Sequence, residues 1–245
     1  MTIDNDKLNA FMGKFVGDFG ATLHATTILV GAKLGLYKAL AEKPLTSAEL
    51  AKATGTAERY VREWLSAQAA SGYAQYDKAS KKYSLSPEQA FALADESSPA
   101  YIPGAFLIAA SMFKDEPKIT EAFKSGKGVG WHEHHADLFH GTEKFFRPGY
   151  VANLVANWLP ALDGVVGKLE KGAKVADVGC GHGVTTVLMA KTYPKSTFIG
   201  FDYHGPSIER AKQLAKDEGV ADRAKFEVAM AKEFPGKDYD LVAVF

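Results

Sequence analysis

Three glycines framed by two acids carry the clearest chemical pattern in the chain. Asp177-Val178-Gly179-Cys180-Gly181-His182-Gly183 reads D-x-G-x-G-x-G, and Asp202 closes the β-branched and aromatic run that follows. Glycines at such spacing let the backbone turn tightly, with no Cβ between it and a ligand. A dinucleotide fingerprint, G-x-G-x-x-G, would place its last glycine at position 184, which is Val184. An acid two residues before the first glycine would repel a pyrophosphate but suits a ligand bearing an ammonium group. An acid at the end of the next strand, here Asp202, is placed to accept both hydroxyls of a ribose. Together these residues point to S-adenosylmethionine rather than to a generic nucleotide.

A second cluster lies upstream. The stretch Trp131–His140 holds four of the seven histidines: His132, His134, His135 and His140. On one helix, Trp131, His134, His135 and Leu138 would share a face, with His132 and Glu133 turned elsewhere. That spacing does not converge three ligands as H-E-x-x-H does, so no metal is expected. Two readings stay open. Glu133, His134 or His135 could line a substrate pocket and polarise an acceptor, or the cluster is ordinary packing and surface.

The glycine loop needs elements to hold it, and the flanking pattern supplies them. Lys174–Val178, Thr197–Asp202, Ala224–Val228 and Tyr239–Phe245 read as strands, with helices over Val184–Lys191 and Ile208–Glu218. Strand and helix alternating in this way predict a parallel sheet with right-handed crossovers. Ligands on such sheets bind beyond the carboxyl ends of the strands.

The N-terminal part has another character. Leu8, Phe11, Met12, Phe15, Val16, Phe19 and Leu23 form one wide apolar stripe on a helix. So large a stripe implies either packing on its own chain or a subunit interface. A second helix is expected from Ile28 to Ala41. Thr46 with Glu49 makes a capping box for a short third helix that Gly55 closes. Thr56 is placed to cap the next helix, which ends at Gly72. Tyr73, Tyr76, Tyr83 and Leu85 flank a polar turn and predict a hairpin, and Ser86, Pro87 and Gln89 open a further helix.

Helices followed by a two-stranded hairpin give the order of a winged helix. The candidate recognition helix carries Arg59 and Arg62 but also Glu58 and Glu63, and only Lys78, Lys81 and Lys82 at the hairpin tip are locally basic. Groove binding needs a basic surface, so no nucleic-acid partner is expected. Between Ser98 and Trp158 comes an aromatic-rich segment divided by Pro99, Pro103, Pro117 and Pro148, too apolar for a flexible linker.

The totals agree with this division. The 245 residues are 47% hydrophobic and 24% charged, with zero formal net charge, as in an ordinary globular protein. One cysteine, Cys180, excludes an intrachain disulfide and fits a reducing compartment. The first residues do not read as a secretory signal, and the longest uncharged run, Phe19–Ala32, is too short and polar to span a bilayer. A cytoplasmic protein without membrane association is expected.

KVADVGCGHG followed by FIGFDYH resembles the first two cofactor motifs of class I S-adenosylmethionine-dependent methyltransferases. The order of interface helix, winged helix, aromatic connector and α/β domain is similar to the small-molecule O-methyltransferases. This resemblance implies a helical winged-helix region at 1–98, a connector at 99–165, and the N-terminal half of a Rossmann-like domain at 166–245. It implies a homodimer formed through the N-terminal helices and a small-molecule methyl acceptor. It also implies that Asp177 and Gly179, Cys180, Gly181 and Gly183 hold the methionine portion of the cofactor. Asp202 would hold the ribose, with Tyr203 beside the adenine and Ala229, Met230 and Ala231 on its other face. Many members carry an acid where this chain has Met230. The chain ends within the expected fourth strand, so the resemblance implies further strands beyond it. Two other classes stay open from sequence: a cofactor-sensing DNA-binding regulator and a non-catalytic dimeric scaffold.

Overall fold

The computed structural model describes residues 3–245. They divide into two compact units, split between Pro117 and Lys118.

The first unit is mostly helical. Helix α1, Asn5–Lys33, is capped by Asp4, whose carboxylate accepts the Asp6 and Lys7 amides. It runs through the start expected for the second helix at Ile28. The break falls later, at Leu34-Gly35, because Gly35 adopts φ +69° and opens α2, Leu36–Glu42. A left-handed residue ends a helix at little cost only when it is glycine. The expected boundary is therefore corrected from Ile28 to Leu36.

Helices α3 (Ser47–Thr54) and α4 (Glu58–Ala70) follow, α3 with the expected Thr46–Glu49 capping box. Thr56 does not cap α4. Ala57 occupies the cap position with no side-chain bond, while the Thr56 hydroxyl pairs with that of Thr54 at 2.8 Å. Strands β1 (Gln75–Asp77) and β2 (Lys82–Ser84) form the hairpin, with Tyr76 paired to Tyr83. Helix α5, Pro87–Leu93, starts with the Ser86–Gln89 capping box. The core of this unit gathers Ile28, Leu36, Tyr37, Leu40, Leu50, Val61, Trp64 and Leu65. One buried polar chain crosses it: the Tyr37 hydroxyl donates to Gln68 at 2.6 Å, and Gln68 donates to the Thr27 hydroxyl at 2.8 Å. Most of α1 lies outside this core; Phe11, Phe15 and Phe19 are 67, 48 and 52% exposed. No single helix among the described residues is long and apolar enough to cross a membrane.

Helix α6, Pro103–Ser125, contains the division between the units. A single short turn, Trp131–Glu133, precedes helix α7, Ala136–Asn153, which widens into a π-type turn at Leu154–Trp158. Trp131, His134, His135 and Leu138 thus do not share one helix. His134 is extended, and His135 caps α7, its Nδ1 accepting the Asp137 amide at 3.1 Å.

After α8 (Val165–Lys171) the chain enters a four-stranded parallel sheet: β3 (Lys174–Val178), β4 (Thr197–Asp202), β5 (Ala224–Val228) and β6 (Leu241–Ala243). Helices α9 (Val184–Thr192) and α10 (Gly205–Asp217) are the crossovers. Spatial order is β5-β4-β3-β6, so the chain reverses direction across the sheet at β3. The crevice beside β3 is the topological switch point, where sheets of this type bind ligands.

Candidate active site at the glycine loop

The register of the sheet builds the loop. Asp177 pairs with Gly200 on β4 and with Ala243 on β6, so it sits in the middle of the sheet at the end of β3. Beyond it the amides of Gly179 and Cys180 both donate to the Phe201 carbonyl, at 2.7 and 3.0 Å. Gly179 and Gly181 take φ +77° and +53°, and a Cβ on either would meet nothing within 4 Å. Their bare backbone faces open space. Gly183, φ +81°, serves packing instead: a Cβ there would lie 2.7 Å from Phe226 and 2.8 Å from Ala211. Two glycines of the triplet thus leave room for a ligand, and the third lets α9 close against β5.

The two acids hold this loop in different ways. The Asp202 carboxylate accepts the Gly181 amide at 3.0 Å and the His204 amide at 2.8 Å, and Asp202 lines the cavity. Asp177 is sealed at 1% exposure; its Oδ2 accepts the hydroxyls of Thr185 and Thr186 at 2.7 and 2.6 Å. Burial raises the Asp177 pKa, opposed by these two threonine bonds, and the nearby Asp202 charge adds to the rise. Among the described residues Asp177 Oδ1 is the one sealed side-chain polar atom without a partner. An orphaned buried acceptor costs about 1–3 kcal/mol, a cost that a donor reaching it would relieve.

A cavity of about 290 Å³ opens beside the loop. Its lining includes Gly179, Cys180, Gly181, His182 and Asp202 from the loop and β4, and the aromatic side chains of Trp131, Phe139, Phe146, Tyr150 and Phe245. Burial pushes the Cys180 thiol well up, with the charges of Asp177 and Asp202 adding to the shift, so it stays protonated. Tyr203 and Ala229–Ala231 follow the neighbouring strands β4 and β5, at the same edge of the sheet but outside the cavity lining. The Ala229 amide donates to the Asp202 carbonyl at 3.0 Å, while Tyr203 and Met230 are exposed.

Glu133, His134 and His135 do not line the cavity. Glu133 accepts the Gly130 amide at 2.5 Å, and its carbonyl accepts the Lys118 ammonium. What the sequence reading missed is Glu143, which lines the cavity and meets His182 at 2.6 Å. The available signal was a histidine inside the glycine motif, whose partner lies on an aromatic helix with no fixed spacing to it. Among the described residues no three His, Cys, Asp or Glu side chains are grouped to hold a metal ion.

Comparison with known proteins agrees with both units. Residues 22–95 match the family model described as the Rv2258c-like winged HTH domain, and residues 169–245 match that of a methyltransferase domain. Trans-aconitate 2-methyltransferase of Streptomyces coelicolor is 34% identical over 70 residues, 28% of this chain and 23% of its own. The chain spans only 19–23% of the length of the curated relatives it matches. Among solved structures, mitomycin 7-O-methyltransferase aligns at a TM-score of 0.66 and 20% identity, over 98% of this chain and 72% of its own. Human N-acetylserotonin methyltransferase, solved with S-adenosylmethionine, aligns at 0.67 and 15% identity, over 100% of this chain and 72% of its own. At such identities the likeness is one of fold. The chain therefore carries a winged helix-turn-helix domain in its N-terminal part and a Rossmann-like methyltransferase domain in its C-terminal part.

Proposed function

We propose that the protein transfers a methyl group from S-adenosylmethionine to an oxygen of a small-molecule acceptor. The observation that carries this reading is the glycine loop at the switch point, with bare Gly179 and Gly181 facing a cavity and Asp202 anchored beneath them. The residues present fit the cofactor. Gly179 and Gly181 leave no side chain in its way, Asp202 retains lone pairs for ribose hydroxyls, and the orphaned Asp177 Oδ1 is an acceptor in need of a donor. When bound, the cofactor supplies a sulfonium-activated methyl group, so the protein's task is mainly to align the acceptor and exclude water. The aromatic wall of Trp131, Phe139, Phe146, Tyr150 and Phe245 suits both tasks. The adenine is taken to lie between Tyr203 and Ala229–Ala231, a reading that their place after the ends of β4 and β5 supports. The solved O-methyltransferase with this fold supports oxygen as the acceptor atom.

The same reading takes the protein to be a cytoplasmic homodimer. The exposed Phe11/Phe15/Phe19 face supports the dimer, and the single, buried Cys180 suits a reducing compartment. Calorimetric titration with S-adenosylhomocysteine tests the cofactor site. Binding that Asp202→Ala weakens about tenfold or more is expected from loss of a charge-assisted anchor; a folded wild-type chain without affinity would overturn the reading.

A further inference from the structure

Glu143 and His182 lie 39 positions apart in sequence, yet His182 Nδ1 and Glu143 Oε2 are separated by 2.6 Å. Glu143 stands on α7 and His182 on the glycine loop; both line the cavity, with side chains 13 and 10% exposed. A carboxylate against Nδ1 keeps the proton there and leaves Nε2 as the acceptor of the neutral ring. Among the described residues Nε2 makes no hydrogen bond, and it is not among the sealed polar atoms that lack a partner. It is therefore reached by solvent, on a residue that lines the cavity.

The charges around the pair keep the carboxylate ionised. Burial alone would raise the Glu143 pKa, but the hydrogen bond from His182 and the charges of Arg210 and Arg147 lower the value overall. Arg147 lies 3.5 Å from the other Glu143 oxygen, and the His140 ring centroid is 5.8 Å from that of His182. A tie between helix and loop requires only the Nδ1 contact. It does not require the second nitrogen to stay open in the cavity wall, whereas an imidazole base oriented by a carboxylate does.

We propose that His182, oriented by Glu143, accepts the hydroxyl proton of the methyl acceptor, a role that rests on the methyl-transfer reading above. Nε2 takes the proton as the O–H bond breaks, and the electron pair of that bond forms the new O–CH3 bond. The pair of the broken C–S bond stays on sulfur. The imidazolium, held by Glu143, then releases its proton to solvent. Glu143 is a positioning residue.

Diethyl pyrocarbonate, which acylates an open neutral imidazole nitrogen, tests this in the full chain without any acceptor. Modification at His182 is read by peptide mass spectrometry with and without saturating S-adenosylhomocysteine, whose binding is verified by calorimetry. The proposal expects His182 to react, and to react within about threefold of the same rate with the cofactor product bound, since Nε2 serves the acceptor side. It also expects His182→Gln to keep S-adenosylhomocysteine affinity within about threefold, and ring nitrogen shifts to report the Nδ1–H tautomer. An unreactive ring, stronger protection, the other tautomer or a larger affinity loss overturns it. Absence of binding by the wild-type chain overturns the cofactor reading itself, and this proposal with it.

Discussion

The carboxylate of Asp202 accepts the backbone N–H of Gly181 at 3.0 Å, tying the end of β4 to the glycine loop. Its other oxygen takes the His204 amide at 2.8 Å, so one side chain orders both turns at the mouth of the crevice. Bonds to an ionised acceptor are worth about 1.5–3 kcal/mol each. Asp202→Ala should speed amide exchange at Gly181 and His204 by about tenfold or more relative to wild type. Asp202→Asn, which retains one carbonyl oxygen, should fall between the two. Unchanged exchange at Gly181 in the alanine variant would show that the loop is held by something else.

The glycines of the motif separate by the space around them. Gly183→Ala would place a methyl group against Phe226 and Ala211 at a residue with φ +81°. Left-handed strain of about 1–2 kcal/mol then adds to overpacking of about 1–3 kcal/mol. Urea unfolding should show that loss as a lower midpoint. Gly181→Ala meets no neighbour within 4 Å, so it should cost only the strain, about 1–2 kcal/mol. Its methyl group enters the space assigned to the cofactor, and S-adenosylhomocysteine affinity should fall by more than stability does. Equal destabilisation by the two substitutions would contradict this division.

Legibility followed the reach of each interaction. Strands β3, β4 and β5 coincide with the expected Lys174–Val178, Thr197–Asp202 and Ala224–Val228, because apolar runs bounded by glycine or polar turns are local signals. The Thr46 and Ser86 capping boxes were equally visible, each needing only residues three apart. The end of α1 was misplaced because Ile28 and its neighbours continue a helical pattern; only Gly35, with φ +69°, interrupts it. The histidine cluster misled for a related reason. Periodicity at Trp131–Leu138 says nothing of the break that makes His135 a cap. The Glu143–His182 pair was out of reach, since nothing local records which helix packs over the loop.

Asp177 should make stability depend on pH in a definite direction. Burial holds its folded pKa above the ordinary 3.8, with Thr185 and Thr186 opposing and Asp202 reinforcing the rise. Below 3.8 the group is protonated folded and unfolded, and it costs nothing. Between 3.8 and the folded value the unfolded chain ionises more readily, so stability falls as pH rises and then levels off. Asp177→Asn removes that dependence. The melting temperature of the variant minus that of wild type should therefore grow from pH ~4 upward, while its affinity for S-adenosylhomocysteine falls. A difference independent of pH would mean that Asp177 titrates normally. The constant part carries less information, because the asparagine NH2 would replace the orphaned Oδ1 and need an acceptor of its own.

Phe15 and Phe19 stack on the exposed face of α1 with ring centroids 5.6 Å apart, and Leu8, Phe11 and Met12 extend the same apolar surface. Burying one large side chain is worth about 1.5–3 kcal/mol, so an interface built on several of them should not tolerate a charge at its centre. Phe15→Asp should convert the proposed dimer to monomer at micromolar concentration in size-exclusion chromatography with light scattering. Its helical circular dichroism should remain close to wild type, because the buried residues of α1 are Ile28 and Gly31, far from the substitution. Lys14→Glu, on an exposed side chain already paired with Asp18, is the control for charge alone and should leave the proposed dimer intact. A Phe15→Asp protein that remains dimeric would remove this face from the interface, and a monomeric wild type would remove the dimer.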